Sequence, residues 1–200
     1  MEDVGREVTG VILVGGRSTR MGTDKALLQV GGRPLFRRVV AALADVTPRV
    51  ILVGGPVERF GDVGLPVYPD LRPGSALGGL HTGLSLAGTP WIVVLACDMP
   101  YPNPRLIRHL TTLREGCDAV VPRRGSFVEP LCAAYSRECL GPIGELLEAG
   151  RFRFQELFLR VRTRYVEGEI LERLDRDGRS FLNINTPEDL RELPPEEDRR

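Results

Sequence analysis

Trp91-Ile92-Val93-Val94-Leu95-Ala96 is an unbroken apolar run. A strand with one wet face alternates polar and apolar residues, whereas a run apolar throughout needs cover on both faces. This run therefore reads as a central strand of a parallel sheet with helices above and below. The rest of the chain is patterned to match. Val8 to Leu13 and Val50 to Val53 are further apolar runs, and Val67 with Tyr68 is a shorter one. Between them, Phe36, Val39, Val40 and Leu43 follow Pro34 at helical spacing, as do Leu77, Leu80, Leu84 and Ala87. Asn103 and Pro104 read as the cap and first residue of a helix carrying Leu106, Leu110 and Leu113.

Further along, Ala119 to Val121 reads as a strand and Glu129 to Tyr135 as another, taken as antiparallel. Glu138 to Ala149 reads as a helix ended by Gly150, Phe152 to Phe158 as a short helix, and Arg160 to Val166 as a half-exposed strand. Thr186, Pro187 and Asp189 have the cap and first-turn chemistry of a final helix. Such alternation implies the α/β class: an open, mostly parallel sheet with helices on both faces. Right-handed crossovers then bring the loops after the strands to one edge, where such sheets bind ligands.

The chain has 200 residues, which suits one domain, assigned to residues 8–192 with disordered termini at 1–7 and 194–200. Acidic and basic residues balance at 27 each, so nothing favours nucleic acid or a membrane surface as partner. The first residues lack the basic start and apolar stretch of a signal peptide, and no apolar run could span a bilayer; a cytoplasmic protein is expected. The four cysteines, Cys97, Cys117, Cys132 and Cys139, form no Cys-x-x-Cys pair, and with His81 and His109 they give no zinc spacing. Cys97 and Cys132 read as core residues and Cys139 as an exposed thiol. Arg123, Arg124 and Arg151 read as solvated basic surface.

Leu13-Val14-Gly15-Gly16-Arg17-Ser18-Thr19-Arg20-Met21-Gly22-Thr23-Asp24-Lys25 follows the first apolar run. Its glycines let the backbone turn sharply and approach a ligand, and Arg20 and Lys25 stand beyond the turn. Strand, glycine turn and spaced cations suit a loop around a nucleoside triphosphate. The loop is not a Walker A motif, which ends Gly-Lys-Ser/Thr, nor the Gly-x-Gly-x-x-Gly dinucleotide fingerprint.

Asp98 ends the most apolar strand, at the same expected edge, and reads as a magnesium ligand. Magnesium takes one or two carboxylates together with substrate phosphates. Asp70 follows the short third strand to that edge. Asn183 and Asn185 stand in an extended segment before the last helix and are taken to face opposite ways, with Asn185 reaching the metal or phosphates. Pro73-Gly74-Ser75-Ala76-Leu77-Gly78-Gly79 is a glycine-rich helix entry whose backbone, Gly78 included, could line a base.

The loop from Leu13 to Lys25, Pro69-Asp70 with the following Pro-Gly and Leu-Gly-Gly, Cys97-Asp98-Met99-Pro100, and Asn183 to Leu190 together resemble the molybdenum cofactor guanylyltransferase family. The resemblance runs from about Thr9 to about Leu190. It implies a Rossmann-like, three-layer α/β/α nucleotidyltransferase fold with a mostly parallel sheet. It also implies transfer of GMP from GTP to the phosphate of molybdenum-molybdopterin, with magnesium as cofactor and pyrophosphate released. Other cofactor-assembly proteins and the acceptor molybdoenzymes are the implied handover partners. By resemblance, Leu13, Val14 and Gly15 with Asp70 contact the guanosine, Lys25 the phosphates and Asp98 the magnesium; Gly16 and Gly78 are expected to join the GTP contacts, Arg20 to act with Lys25 and Asp98 as catalytic residues, and Asn185 to join Asp98 as a metal ligand. Ser75-Ala76 departs from the Gly-Pro common in that family, and related cytidylyltransferases share the first loop. A non-catalytic nucleotide-binding module would keep the glycine loop but would not need Asp98 or Asn185.

Overall fold

The computed structural model describes residues 7–15 and 28–194. Gly16, Arg20 and Lys25, and the terminal residues 1–6 and 195–200 expected to be disordered, lie outside the described residues. The chain enters on strand β1 (Val8–Leu13), and a two-residue hairpin of β2 (Gln29–Val30) and β3 (Arg33–Pro34) leads into helix α1 (Leu35–Ala44). Strand β4 (Val50–Val53), a 3-10 segment at Val57–Val63 and strand β5 (Val67–Tyr68) follow. Then come α2 (Ala76–Leu86), β6 (Trp91–Ala96), α3 (Pro104–Thr112) and β7 (Ala119–Arg124). A short β8 (Phe127–Val128), β9 (Cys132–Ser136), α4 (Leu140–Glu148) and α5 (Phe154–Phe158) lead to β10 (Thr163–Val166), α6 (Gly168–Leu174) and α7 (Pro187–Arg191).

The strands lie in the order β10-β7-β9-β6-β1-β4-β5, with β8 turned back against β7. All pairings along this path are parallel except those of β9, which runs antiparallel to both β6 and β7. The register aligns Leu13 with Val53 and with Ala96, and Val53 with Tyr68. Four strands thus end level at one edge. Because β9 is reversed, it is the residues before it that reach the same edge: Cys132 pairs with Leu95.

Residues 92–95 of β6 are fully buried, as an apolar run without alternation requires. Val93 and Leu95 join the side chains of α1, α3 and α6, whereas Ile92 and Val94 join those of α2, α4 and α5. The same period-two division holds in β1, where Ile12 faces the first layer and Val11 the second. Leu77, Leu80 and Leu84 of α2 are all buried, each contributing about 1.5–3 kcal/mol of apolar transfer. The helix lies close to β1 because a Cβ at Gly83 would come within 2.8 Å of Val11. Among the described residues, no helix is long and apolar enough to cross a membrane.

Several local expectations shift. Cys139 is fully buried rather than exposed; its thiol lies 3.3 Å from the Asp118 carbonyl and burial pushes it up to about 12. The strand expected from Glu129 begins only at Cys132, leaving Glu129-Pro130-Leu131 as a turn, and the strand expected from Arg160 begins at Thr163. The three arginines read as solvated basic surface do lie partly exposed, and each also pairs with an acid: Arg123 with Glu167, Arg124 with Asp175 and Arg151 with Glu156.

Candidate active site

A cleft of about 1110 Å³ opens along the level strand ends. Its floor at β1 and β4 is bare backbone. The Val14 amide donates to the Val53 carbonyl at 2.9 Å, and the Gly54 amide to Tyr68 at 2.9 Å. Gly15 and Gly54 then meet so closely that a Cβ on Gly54 would lie 2.8 Å from the Gly15 Cα. Gly54 also holds φ at +98°, a conformation that glycine tolerates. The two glycines leave this floor without side chains.

Asp70, two residues beyond β5, stands on the cleft wall. Its Oδ1 accepts from the Arg72 amide at 2.9 Å and from the Thr82 hydroxyl at 2.7 Å, and the Thr82 hydroxyl in turn accepts from the Leu71 amide at 3.0 Å. Thr82 is fully buried on α2, so a helix anchors this carboxylate. The same wall carries Ser75, Ala76 and Gly79. Ser75 caps α2 by accepting from the Gly78 amide at 3.0 Å. That engages Gly78 within the helix start; a Cβ there would lie 1.9 Å from the Arg72 carbonyl oxygen. Ser75 thus performs the helix-entry role without the Gly-Pro of the resembling family.

Asp98 lies in the middle of the cleft, two residues beyond β6, with its Oδ1 shielded from solvent. The Cys97 amide donates to the Leu13 carbonyl at 3.1 Å, tying this loop to β1. The Ile184 amide donates to the Asp98 carbonyl at 3.0 Å and brings the distant 183–185 segment alongside. Asn183 and Asn185 both line the cleft, and Ile184 between them is fully buried. The expectation of opposite facings is thus overturned, because residues two apart in extended backbone share a face. Asp189 accepts from the amides of Asn185 at 2.7 Å and Thr186 at 2.8 Å, while Thr186 accepts from the Asp189 amide at 3.1 Å. This capping box sets where α7 begins and holds Asn185 at the rim.

A second anchor holds the same segment from behind. Asp175, almost fully buried, accepts at Oδ1 from the Ser180 hydroxyl at 2.7 Å, and the Arg124 guanidinium donates to its carbonyl. Gly178 passes so near that a Cβ would lie 2.7 Å from an Arg124 nitrogen.

Three hydrogen-bonding or charged cleft residues, Asn183, Arg59 and Glu129, were not singled out in the sequence as ligand contacts. Asn183 lines the cleft beside Asn185. Arg59 comes from the 3-10 segment, stacked 5.3 Å from the Phe60 ring, with burial lowering its guanidinium from the ordinary value. Glu129 comes from the turn before β9. Burial raises its carboxyl above the ordinary carboxylate range, against the opposing pull of Arg124. Neither Arg59 nor Glu129 belongs to a spaced motif, so only the fold locates them. The donors around Asp98 are carboxylate and amide oxygens, the hard ligands that magnesium prefers. Among the described residues, no cluster of three or more His, Cys, Asp or Glu could hold a metal alone.

The model of the MobA-like NTP transferase domain matches residues 10–164. A probable molybdenum cofactor guanylyltransferase of Pelotomaculum thermopropionicum is 43% identical over 92% of this chain and 90% of its own length. A molybdenum cofactor guanylyltransferase of Syntrophotalea carbinolica is 35% identical, covering 91% and 88% respectively. The crystal structure of molybdopterin-guanine dinucleotide biosynthesis protein A from Archaeoglobus fulgidus is similar with a TM-score of 0.78 at 28% identity, over 92% of this chain and 95% of that one.

Proposed function

Because the chain belongs to the MobA-like NTP transferase family, we propose that it transfers GMP from GTP to the phosphate of molybdenum-molybdopterin, releasing pyrophosphate. It is a nucleotidyltransferase; the donor, acceptor and metal are the reading offered here. The observation that supports it most is the level ending of β1, β4, β5 and β6, which gathers Leu13 to Gly15, Asp70 and Asp98 around one cleft.

In this reading the backbone from Leu13 to Gly16, Asp70 and the α2 entry at Ser75, Ala76 and Gly79 take the guanosine, with Gly78 held behind them by its bond to Ser75. Arg20 and Lys25 take the triphosphate. Asp98 and Asn185 would hold a magnesium ion, which supplies positive charge opposite the triphosphate. An oxygen of the acceptor phosphate attacks the α-phosphorus in line. One P–O bond forms there, and the bond to the bridging α–β oxygen breaks. Its electron pair leaves with pyrophosphate. The attacking phosphate is already ionised at neutral pH, so no strong general base is needed. What the protein must supply is alignment of two anions and relief of their repulsion.

Pyrophosphate release, measured with each nucleoside triphosphate offered in turn beside molybdopterin, tests the reading. Release with GTP alone is expected. Release with CTP instead would make the chain a cytidylyltransferase, and no release with any triphosphate would make it a binding module.

A further inference from the structure

Among the described carboxylates that are not exposed, Glu129 stands apart. Asp118 is held by Arg162 at 2.7 Å, Asp175 by Ser180, and Asp70 by Thr82. No described residue donates a hydrogen bond to the Glu129 carboxylate or forms an ion pair with it, although it is half-buried on the cleft wall. Its oxygens keep contact with the solvent of the cleft, where a ligand can reach them.

Its backbone is held firmly. The Glu129 amide donates to the Pro122 carbonyl at 3.0 Å, and its own carbonyl accepts from Cys132 at 3.2 Å. Ala96 donates to the Leu131 carbonyl at 3.1 Å, and the fully buried Tyr135 donates through its hydroxyl to the Pro130 carbonyl at 2.8 Å. Four hydrogen bonds thus pin a three-residue turn whose first side chain has no hydrogen-bond partner among the described residues. Such rigidity suits a side chain that must meet a ligand at a set place.

The sheet order says which ligand. β1, β4 and β5 lie to one side of β6, and β9 lies to the other. Asp70 and the bare glycine floor are on the first side, Asp98 is at the centre, and Glu129 is on the second. The strand that Asp70 follows and the strand that Glu129 precedes are four strand spacings apart, about 19 Å. With the nucleotide on the β1–β5 side and the reacting phosphates near Asp98, Glu129 stands where the acceptor extends. A carboxylate there repels phosphate and attracts paired N–H donors. The amino-amide edge of a 2-amino-4-oxo pterin presents two such donors side by side, one for each carboxylate oxygen.

We infer that Glu129 is a specificity residue for the acceptor, receiving the amino-amide edge of its pterin. The inference rests on the proposed function in taking a pterin phosphate as acceptor. Guanine carries the same edge, so the test must separate the two sources. In Glu129→Gln, one oxygen acceptor is replaced by a donor. The KM for molybdopterin is expected to rise about tenfold or more, while that for GTP stays within about twofold. A weakened preference for GTP over inosine triphosphate, which lacks the 2-amino group, would instead assign Glu129 to guanine and overturn the inference. So would unchanged KM values for both substrates in a variant that melts like the parent. Binding of molybdopterin alone, followed by pterin fluorescence on Glu129→Ala and on the parent, reads the contact without turnover. Weaker binding by the variant is expected, and equal binding overturns the inference. If the parent protein binds molybdopterin but transfers no nucleotide to it, the proposed function fails while the fluorescence comparison still decides the role of Glu129.

Discussion

The amide of Ile184 donates to the carbonyl of Asp98 at 3.0 Å. This bond joins the central acid of the cleft to an extended segment near the other end of the chain, and it turns Asn183 and Asn185 to the same side as that acid. Asp98 and Asn185 are thus brought together at the cleft by backbone hydrogen bonding.

Replacing Asp98 with alanine removes a carboxylate that lines the cleft beyond the central strand β6. The turnover number is expected to fall on the order of a thousandfold, with GTP affinity changed only severalfold. Pyrophosphate release and calorimetric titration with GTP measure the two quantities. Chelation by EDTA is expected to silence the parent enzyme, and added magnesium to restore it. A variant turning over at the parental rate would remove Asp98 from the metal site.

Thr82→Val keeps the shape of a buried side chain but loses the hydroxyl that donates to Asp70 and accepts from Leu71. A lost hydrogen bond of about 1 kcal/mol corresponds to roughly fivefold in KM for GTP. Steady-state kinetics at varied GTP check it. Thr82→Ser, which keeps the hydroxyl, should recover most of the affinity.

Gly54→Ala meets two obstacles, a positive φ of +98° and the Gly15 backbone 2.8 Å from the new Cβ. A loss of about 1–3 kcal/mol in urea unfolding is expected. Nucleotide binding should weaken as well, since relief can come only from moving the cleft floor.

The Arg162 hydrogen bonds hold the Asp118 carboxyl below the ordinary carboxylate range, more than burial raises it. A group with a lowered folded-state pKa stabilises above its unfolded value of about 3.9, and that contribution is lost as pH falls through the folded value. Asp118→Asn should therefore melt lower than the parent at pH 7. The gap between them should close on acidification below the unfolded value. Melting curves across pH follow it, and a constant gap would exclude the ionised pair as its source.

What could be read from the sequence was local. The Asn103 side chain accepts from the Arg105 amide and the Thr186–Asp189 capping box is complete, both by residue type and short spacing alone. The six-residue run at Trp91 announced its own double cover. Leu13, Val14, Gly15, Asp70, Asp98 and Asn185 all reach the cleft because each follows a strand or flanks a cap. Glu129 was out of reach because its place depends on the reversal of β9, a pairing between distant segments. Arg59 was missed because the 3-10 segment that presents it carries no apolar period. The β2–β3 hairpin and α6 are too short to stand out from their surroundings. Gly16, Arg20 and Lys25, the part of the motif most specific as sequence, lie outside the described residues.

A sheet with every strand running the same way offers its ligand edge only the segments that come after strands. Turning β9 around admits a segment that comes before one, and the connection supplying it is a hairpin of a few residues rather than a helical crossover. The rim is therefore modular. Recognition on the β9 side can be rewritten by exchanging one short hairpin, leaving the glycine floor, the threonine-anchored aspartate and the central acid where they stand.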